Sequence, residues 1–156
     1  MSFFTQTVKS TIILAVCLWG NSYEPILAYS KESLDDKKLR AILGEAEGES
    51  YHGKLALAYA INNRGSIRGV YGYNAIILRS DGYYRHNRRL SKKVVVEALK
   101  ALEWANSHPD KDLTFGATSW ENIKAFKVPY WASSMTETAR IGNHVFYREK
   151  NTTNKR

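Results

Sequence analysis

An α+β fold in one domain follows from three observations on this chain of 156 residues. Apolar residues recur at helical spacing in two adjoining stretches and again in a longer third one that stops before Pro109. From residue 113 the spacing changes to that of strands. Near the end, Gly142-Asn143 separates two strand-like runs, as the two-residue connection of a tight hairpin does. The expected architecture is a helical hairpin plus a longer helix, packed with a small antiparallel hairpin or sheet around a cleft. The length is that of a single domain, and 44% hydrophobic residues suffice for its core.

The first helix is expected over 34–47. Ser33 and Asp36 form a capping box, Leu39, Ile42, Leu43 and Ala46 share a face, and Gly48 stops the helix. Ser50 is placed to cap a second helix, with Leu55, Leu57, Ala58 and Ile61 turned inward up to Arg64, and Gly65 ends it. The short turn between them makes a helical hairpin with Glu45 near its corner. Residues 65–73 read as a glycine-rich basic loop leading to a short helix at 74–79. The stretch 80–89 interleaves Tyr83, Tyr84 and His86 with Arg85, Arg88 and Arg89. Such a mixture grips single-stranded nucleic acid, lines a sugar groove, or forms a mobile basic loop.

Ser91 opens the longest helix, which sets Val95, Ala98, Leu99, Leu102 and Ala105 on one face and takes Val94–Val96 as a buried side. Residues 113–120 read as a strand approaching the cleft and 125–131 as an aromatic loop containing Pro129. Strands at 134–141 and 144–148 flank the Gly142-Asn143 turn. The tail, 150–156, is polar and expected to be disordered.

Residues 1–30 have the make-up of an export signal, or of a hydrophobic anchor if they are retained. Lys9 gives a basic start, 11–19 is apolar and uncharged, and Ala28-Tyr29-Ser30 offers small residues before a cut. The expected place is therefore the periplasm or the cell wall and its surroundings, with 31–149 as the catalytic domain. Removal of 1–30 takes away Lys9, Glu24 and the one cysteine, Cys17, and leaves the net charge at +8. Such a domain has no disulfide and no thiol nucleophile, so packing alone holds it. Its charge favours a polyanionic partner, either wall polymer or extracellular nucleic acid.

The chemistry concentrates where the first helix ends. Glu45 lies in the last turn, beside unpaired carbonyls, and Glu47 and Glu49 add negative charge. Such surroundings favour a protonated carboxyl group, which is what cleavage of a glycosidic bond needs. Three glutamates at a helix end are also the make-up of a solvated surface. Against that stand the small neighbours Gly44, Ala46, Gly48 and Gly53, which let backbone or ligand come close. His52 follows the broken helix without HExxH spacing, so neither a metal site nor a small-molecule cofactor is expected.

Four separated stretches carry a family resemblance: Ala41-Ile42-Leu43-Gly44-Glu45-Ala46-Glu47-Gly48-Glu49 with the helix running to Asn62-Asn63-Arg64; Gly116-Ala117-Thr118-Ser119-Trp120-Glu121-Asn122; Pro129-Tyr130-Trp131-Ala132; and Ile141-Gly142-Asn143-His144-Val145-Phe146-Tyr147. In this order they resemble the cell-wall hydrolase family that includes the catalytic domain of spore-cortex-lytic enzymes. The resemblance implies a lysozyme-like α+β domain acting as a lytic transglycosylase on peptidoglycan glycan strands, with Glu45 as the catalytic residue. It implies a monomer whose partner is the glycan, and nucleic acid is not the expected partner. Glu49, Tyr51, Thr118, Trp120, Asn122, Tyr130, Trp131 and His144 are candidates for substrate binding, with Asn62, Arg64 and Tyr84 behind them. Trp120, Tyr130 and Trp131 either stack on sugars or fill the core, and His144 is either structural or orients Glu45.

The chain departs from that family in two places. It lacks a glutamine-phenylalanine motif between Gly72 and Ser91, and Ile123 stands where proline is usual. Two other functions fit the same residues. One is a muramidase-type hydrolase in which Glu49 or another acid handles water. The other is a non-catalytic, basic exported protein that binds wall or nucleic acid.

Overall fold

The computed structural model describes residues 32–150. The segment read as a signal or anchor, and the tail from 151 on, lie outside the described residues. Helix α1 (Leu34–Ala46) opens on the expected capping box, with Ser33 Oγ accepting from the Asp36 amide and the Asp36 carboxylate accepting from the Ser33 amide, both at 3.1 Å. Helix α2 (Tyr51–Arg64) is capped by Ser50 and closed by Gly65 at φ +67°. It is buried nearly all round from Gly53 to Ile61, so it forms the axis of the domain.

The short helix predicted at 74–79 lies earlier, as α3 (Tyr71–Ala75), and Ile76–Arg79 is instead strand β1. It pairs with β2 (Gly82–Arg85), which pairs with β3 (Arg88–Arg89). The stretch 80–89 is therefore two hairpin arms rather than a loop. Local turn chemistry outweighs the charge run: Gly82 at φ +144° follows Asp81, and His86 and Asn87 both take positive φ in a two-residue turn.

Helix α4 (Lys92–Ser107) starts at its Ser91 cap and buries Ala98, Ala101, Leu102 and Ala105. Leu99, expected inside, is 41% exposed. It sits one position off the i, i+3, i+4, i+7 line of Ala98, Ala101, Leu102 and Ala105 that lies against the core. Val94–Val96 is only half-buried.

The strand expected over 113–120 is shorter, β4 (Ser119–Asn122). Residues 112–116 are bent around Asp112, whose Oδ1 accepts from the Thr114 amide and hydroxyl and whose Oδ2 accepts from the Gly116 amide. A 3₁₀ turn at Tyr130–Ser134 then leads into β5 (Met135–Ile141) and β6 (His144–Glu149). Their register, Ile141 opposite His144, leaves Gly142-Asn143 as the predicted turn, with Gly142 at φ +62°. The sheet order is β4-β6-β5, so β6 is central and both of its faces are covered. Phe146 packs on Ala46, Ala56, Leu57, Ala60 and Ala117. Val145 and Tyr147 pack with Ala132, Ile123, Trp131 and Met135.

Candidate active site

Glu45 is the half-buried residue of a helix turn whose neighbours are buried, and it opens on a cavity of about 1120 Å³. Its position depends on two glycines. A Cβ on Gly44 would collide with the Gly72 carbonyl, and one on Gly72 would lie 2.6 Å from the Glu45 amide nitrogen. Backbones of α1 and α3 therefore touch, and the Gly72 N–H donates to Glu45 Oε1 at 2.6 Å. Gly72 lies in the first turn of α3, where amides have no partner inside the helix, so the donor is available.

Aromatic side chains wall the cavity: Tyr71, Trp120, Phe126 and Trp131. Trp120 also packs against both main core clusters and Trp131 meets Tyr147 edge-on at 5.3 Å, so the residues that wall the cavity are also core filler. Arg64 lines the cavity while its guanidinium donates to the carbonyls of Thr118 and Arg68. Glu121 and Glu149 bring further carboxylates to the same cavity. Among the described residues no group of three or more His, Cys, Asp or Glu is placed to hold a metal ion.

The two carboxylates expected to crowd Glu45 are otherwise engaged. Glu47 is ion-paired with Arg85, at 3.3 Å, and with Arg88. Glu49 has a side chain only 7% exposed, and its Oε1 accepts from Asn143 Nδ2 at 2.7 Å. Glu49 was expected to support the site or contact substrate. The β5–β6 turn covers its carboxylate, which does not line the cavity: a Cβ on Gly142 would strike Glu49 Oε2.

His144 is buried, 2% exposed, and does not line the cavity. Its Nδ1 comes within 3.5 Å of Glu49 Oε1 but has no hydrogen-bond partner. Burial pushes its pKa below the ordinary histidine value, against the opposing pull of Glu49 and then Glu45.

The remaining candidates scatter. Thr118 lines an adjoining hollow. Tyr51 heads α2 outside the cavity, and Tyr130 is 92% exposed and also outside it. Asn122 spends its Oδ1 on the amides of Lys124 and Ala125, capping a turn. Asn62 Nδ2 reaches across to Asn106 on α4. Tyr84 is held by Asp81 at 2.7 Å with Arg79 over its ring, in the basic hairpin.

Sequence reasoning missed Gly72, Tyr71 and the individual place of Phe126. The available signal is the aromatic-glycine-aromatic run at 71–73, which has the composition of a loop but forms α3.

No protein-family model matches the chain, and no curated protein does. Two solved structures are similar. The catalytic domain of the Bacillus cereus SleB protein shares 22% identity over 76% of this chain and 94% of its own, with a TM-score of 0.46. The catalytic domain of the germination-specific lytic transglycosylase SleB from Bacillus anthracis shares 24% over 76% and 98%, with a TM-score of 0.47.

Proposed function

We propose that the chain is an exported, monomeric lytic transglycosylase that cuts the glycosidic bond between N-acetylmuramic acid and N-acetylglucosamine in peptidoglycan. The observation that carries this reading is Glu45 in the wall of an open, aromatic-lined cavity, with one oxygen oriented by the Gly72 amide. Aromatic faces suit pyranose rings, and a carboxyl group among them is placed to act on the bond between two rings. Glu45 gives its proton to the leaving glycosidic oxygen as the C1–O bond breaks. The resulting carboxylate takes the proton of the same sugar's C6 hydroxyl, whose oxygen bonds to C1 and closes the anhydro ring. One carboxyl group serves both steps.

A hydrolase reading needs a second carboxylate about 5 to 9 Å from the first. Glu49 is covered, so that role would pass to Glu121 or Glu149, which line the same cavity.

The test is a digest of purified peptidoglycan by the chain and by Glu45→Gln, with products read by mass spectrometry. Anhydro-muramic ends are expected from the wild type only, with a rate loss on the order of 10² to 10⁴ in the variant. Reducing ends would make it a hydrolase, with Glu121→Gln the next variant. Wall binding without release by either protein would leave the non-catalytic reading.

A further inference from the structure

Beside the Glu45 cavity lies a second hollow of about 600 Å³, lined by Arg64, Gly116, Thr118, Ser119, Arg148 and Glu149. Arg64, Ser119 and Glu149 line both, so the two adjoin. The second has no aromatic wall on which a sugar ring could stack. Its charge is two guanidinium groups against one carboxylate.

Neither guanidinium group is paired with a carboxylate, which they share with Arg68 and Arg79 and which sets them apart from the other five arginines among the described residues. Arg40, Arg85, Arg88, Arg89 and Arg140 are each paired with a carboxylate. Arg64 is bonded to carbonyls only, which fixes it without neutralising it. Arg148 has no ion-pair or hydrogen-bond partner among the described residues, although it belongs to a strand whose preceding four residues are buried. The hollow's wall is also fixed. Asp112, which holds the Gly116 amide at 2.8 Å, is tied to α2 through Asn63 Nδ2 at 2.9 Å.

We propose that this hollow receives the carboxylate-bearing peptide stem that branches from the lactyl group of the muramic sugar. The inference rests on the glycan reading of the Glu45 cavity. A strand lying along aromatic walls must send its peptide branches sideways, and the adjoining cationic hollow is polar where the cavity is apolar. Arg148 then takes a stem carboxylate through its planar fork of donors, with Arg64 as a fixed second positive charge.

The experiment measures binding to the full chain carrying Glu45→Gln, by calorimetry. The two probes are N-acetylmuramyl-L-alanyl-D-glutamate and the stemless sugar chitotetraose. Adding Arg148→Ala should weaken the muramyl peptide about tenfold or more and leave chitotetraose within about twofold, the scatter expected when no charged contact is lost. Arg148→Lys should recover part of that loss, since it keeps the charge and loses the fork. Equal weakening of both probes, or no change in either, overturns the proposal. Cleavage that depends on Glu45 with peptide binding indifferent to Arg148 would sink the stem hollow and keep the enzyme. Arg148-dependent peptide binding without cleavage would do the reverse.

Discussion

In the sheet β4-β6-β5 the central strand has four consecutive buried residues, His144 to Tyr147, whereas every residue of β2, the central strand of the other sheet, is only half-buried. The first sheet is ordered by apolar burial on both faces. The second touches the core through Ile76 and Tyr83 only, and is otherwise ordered by its turns and by the pairing of Arg85 and Arg88 with Glu47. Burial contributes about 25 cal/mol for each Å² of apolar surface, while exposed ion pairs contribute about 0 to 1 kcal/mol. The cavity takes walls from β4 and from Trp131, which packs on β6, so its shape rests on the stable sheet and the basic hairpin is free to open locally.

The comparison breaks most readily at Phe146. Phe146→Ala should cost about 3 to 5 kcal/mol in urea unfolding and carry the whole domain with it. A smaller effect is expected from Gly142→Ala, which forces a side chain into positive φ and against Glu49. It should destabilise by more than about 1 kcal/mol, and thermal melts would read it.

Acid should act on the same sheet. His144 has a pKa below its unfolded value of 6.5, so the folded state resists a proton that the unfolded chain accepts. Stability from this group is full above that pH and declines below it, by no more than about 1.4 kcal/mol per pH unit. Melting temperatures between pH 7.5 and 5 should fall in the wild type and fall less in His144→Gln.

The smallest effect belongs to the other sheet. Arg88 is largely exposed, and Arg88→Ala should cost at most about 1 kcal/mol. Hydrogen exchange sharpens the point: β2 amides should exchange through local opening well before those of β6. Equal protection in the two sheets would contradict the contrast.

What was legible in the sequence was local. The caps Ser33, Ser50 and Ser91, the stop at Gly65 and the Gly142-Asn143 turn each act within a few residues, and all stand where expected. Glu45 likewise stands where its motif places it, in the last turn of a helix. The basic hairpin turns at Ser80-Asp81 with Gly82 just beyond at φ +144°, a local signal set in a run of arginines whose composition is that of a solvated loop. The fate of Glu49 was illegible for a different reason. Its partner Asn143 is 94 positions away, and no periodicity in either segment encodes that meeting. Gly72 is likewise 27 positions from Glu45 and acts through its backbone, which every residue except proline supplies equally.

That last contact decides how the protein can vary. A donor on the main chain survives side-chain replacement, yet the closeness of Gly44 and Gly72 leaves neither position room for even a methyl group. The aim of Glu45 is thus a property of how two backbones cross. Attempts to retune the acid by mutagenesis have no side chain to adjust at that oxygen, and every change at the crossing shifts α3 against α1. Room for side-chain change lies instead at exposed positions of the cavity wall such as Tyr71 and Phe126, and in the polar hollow.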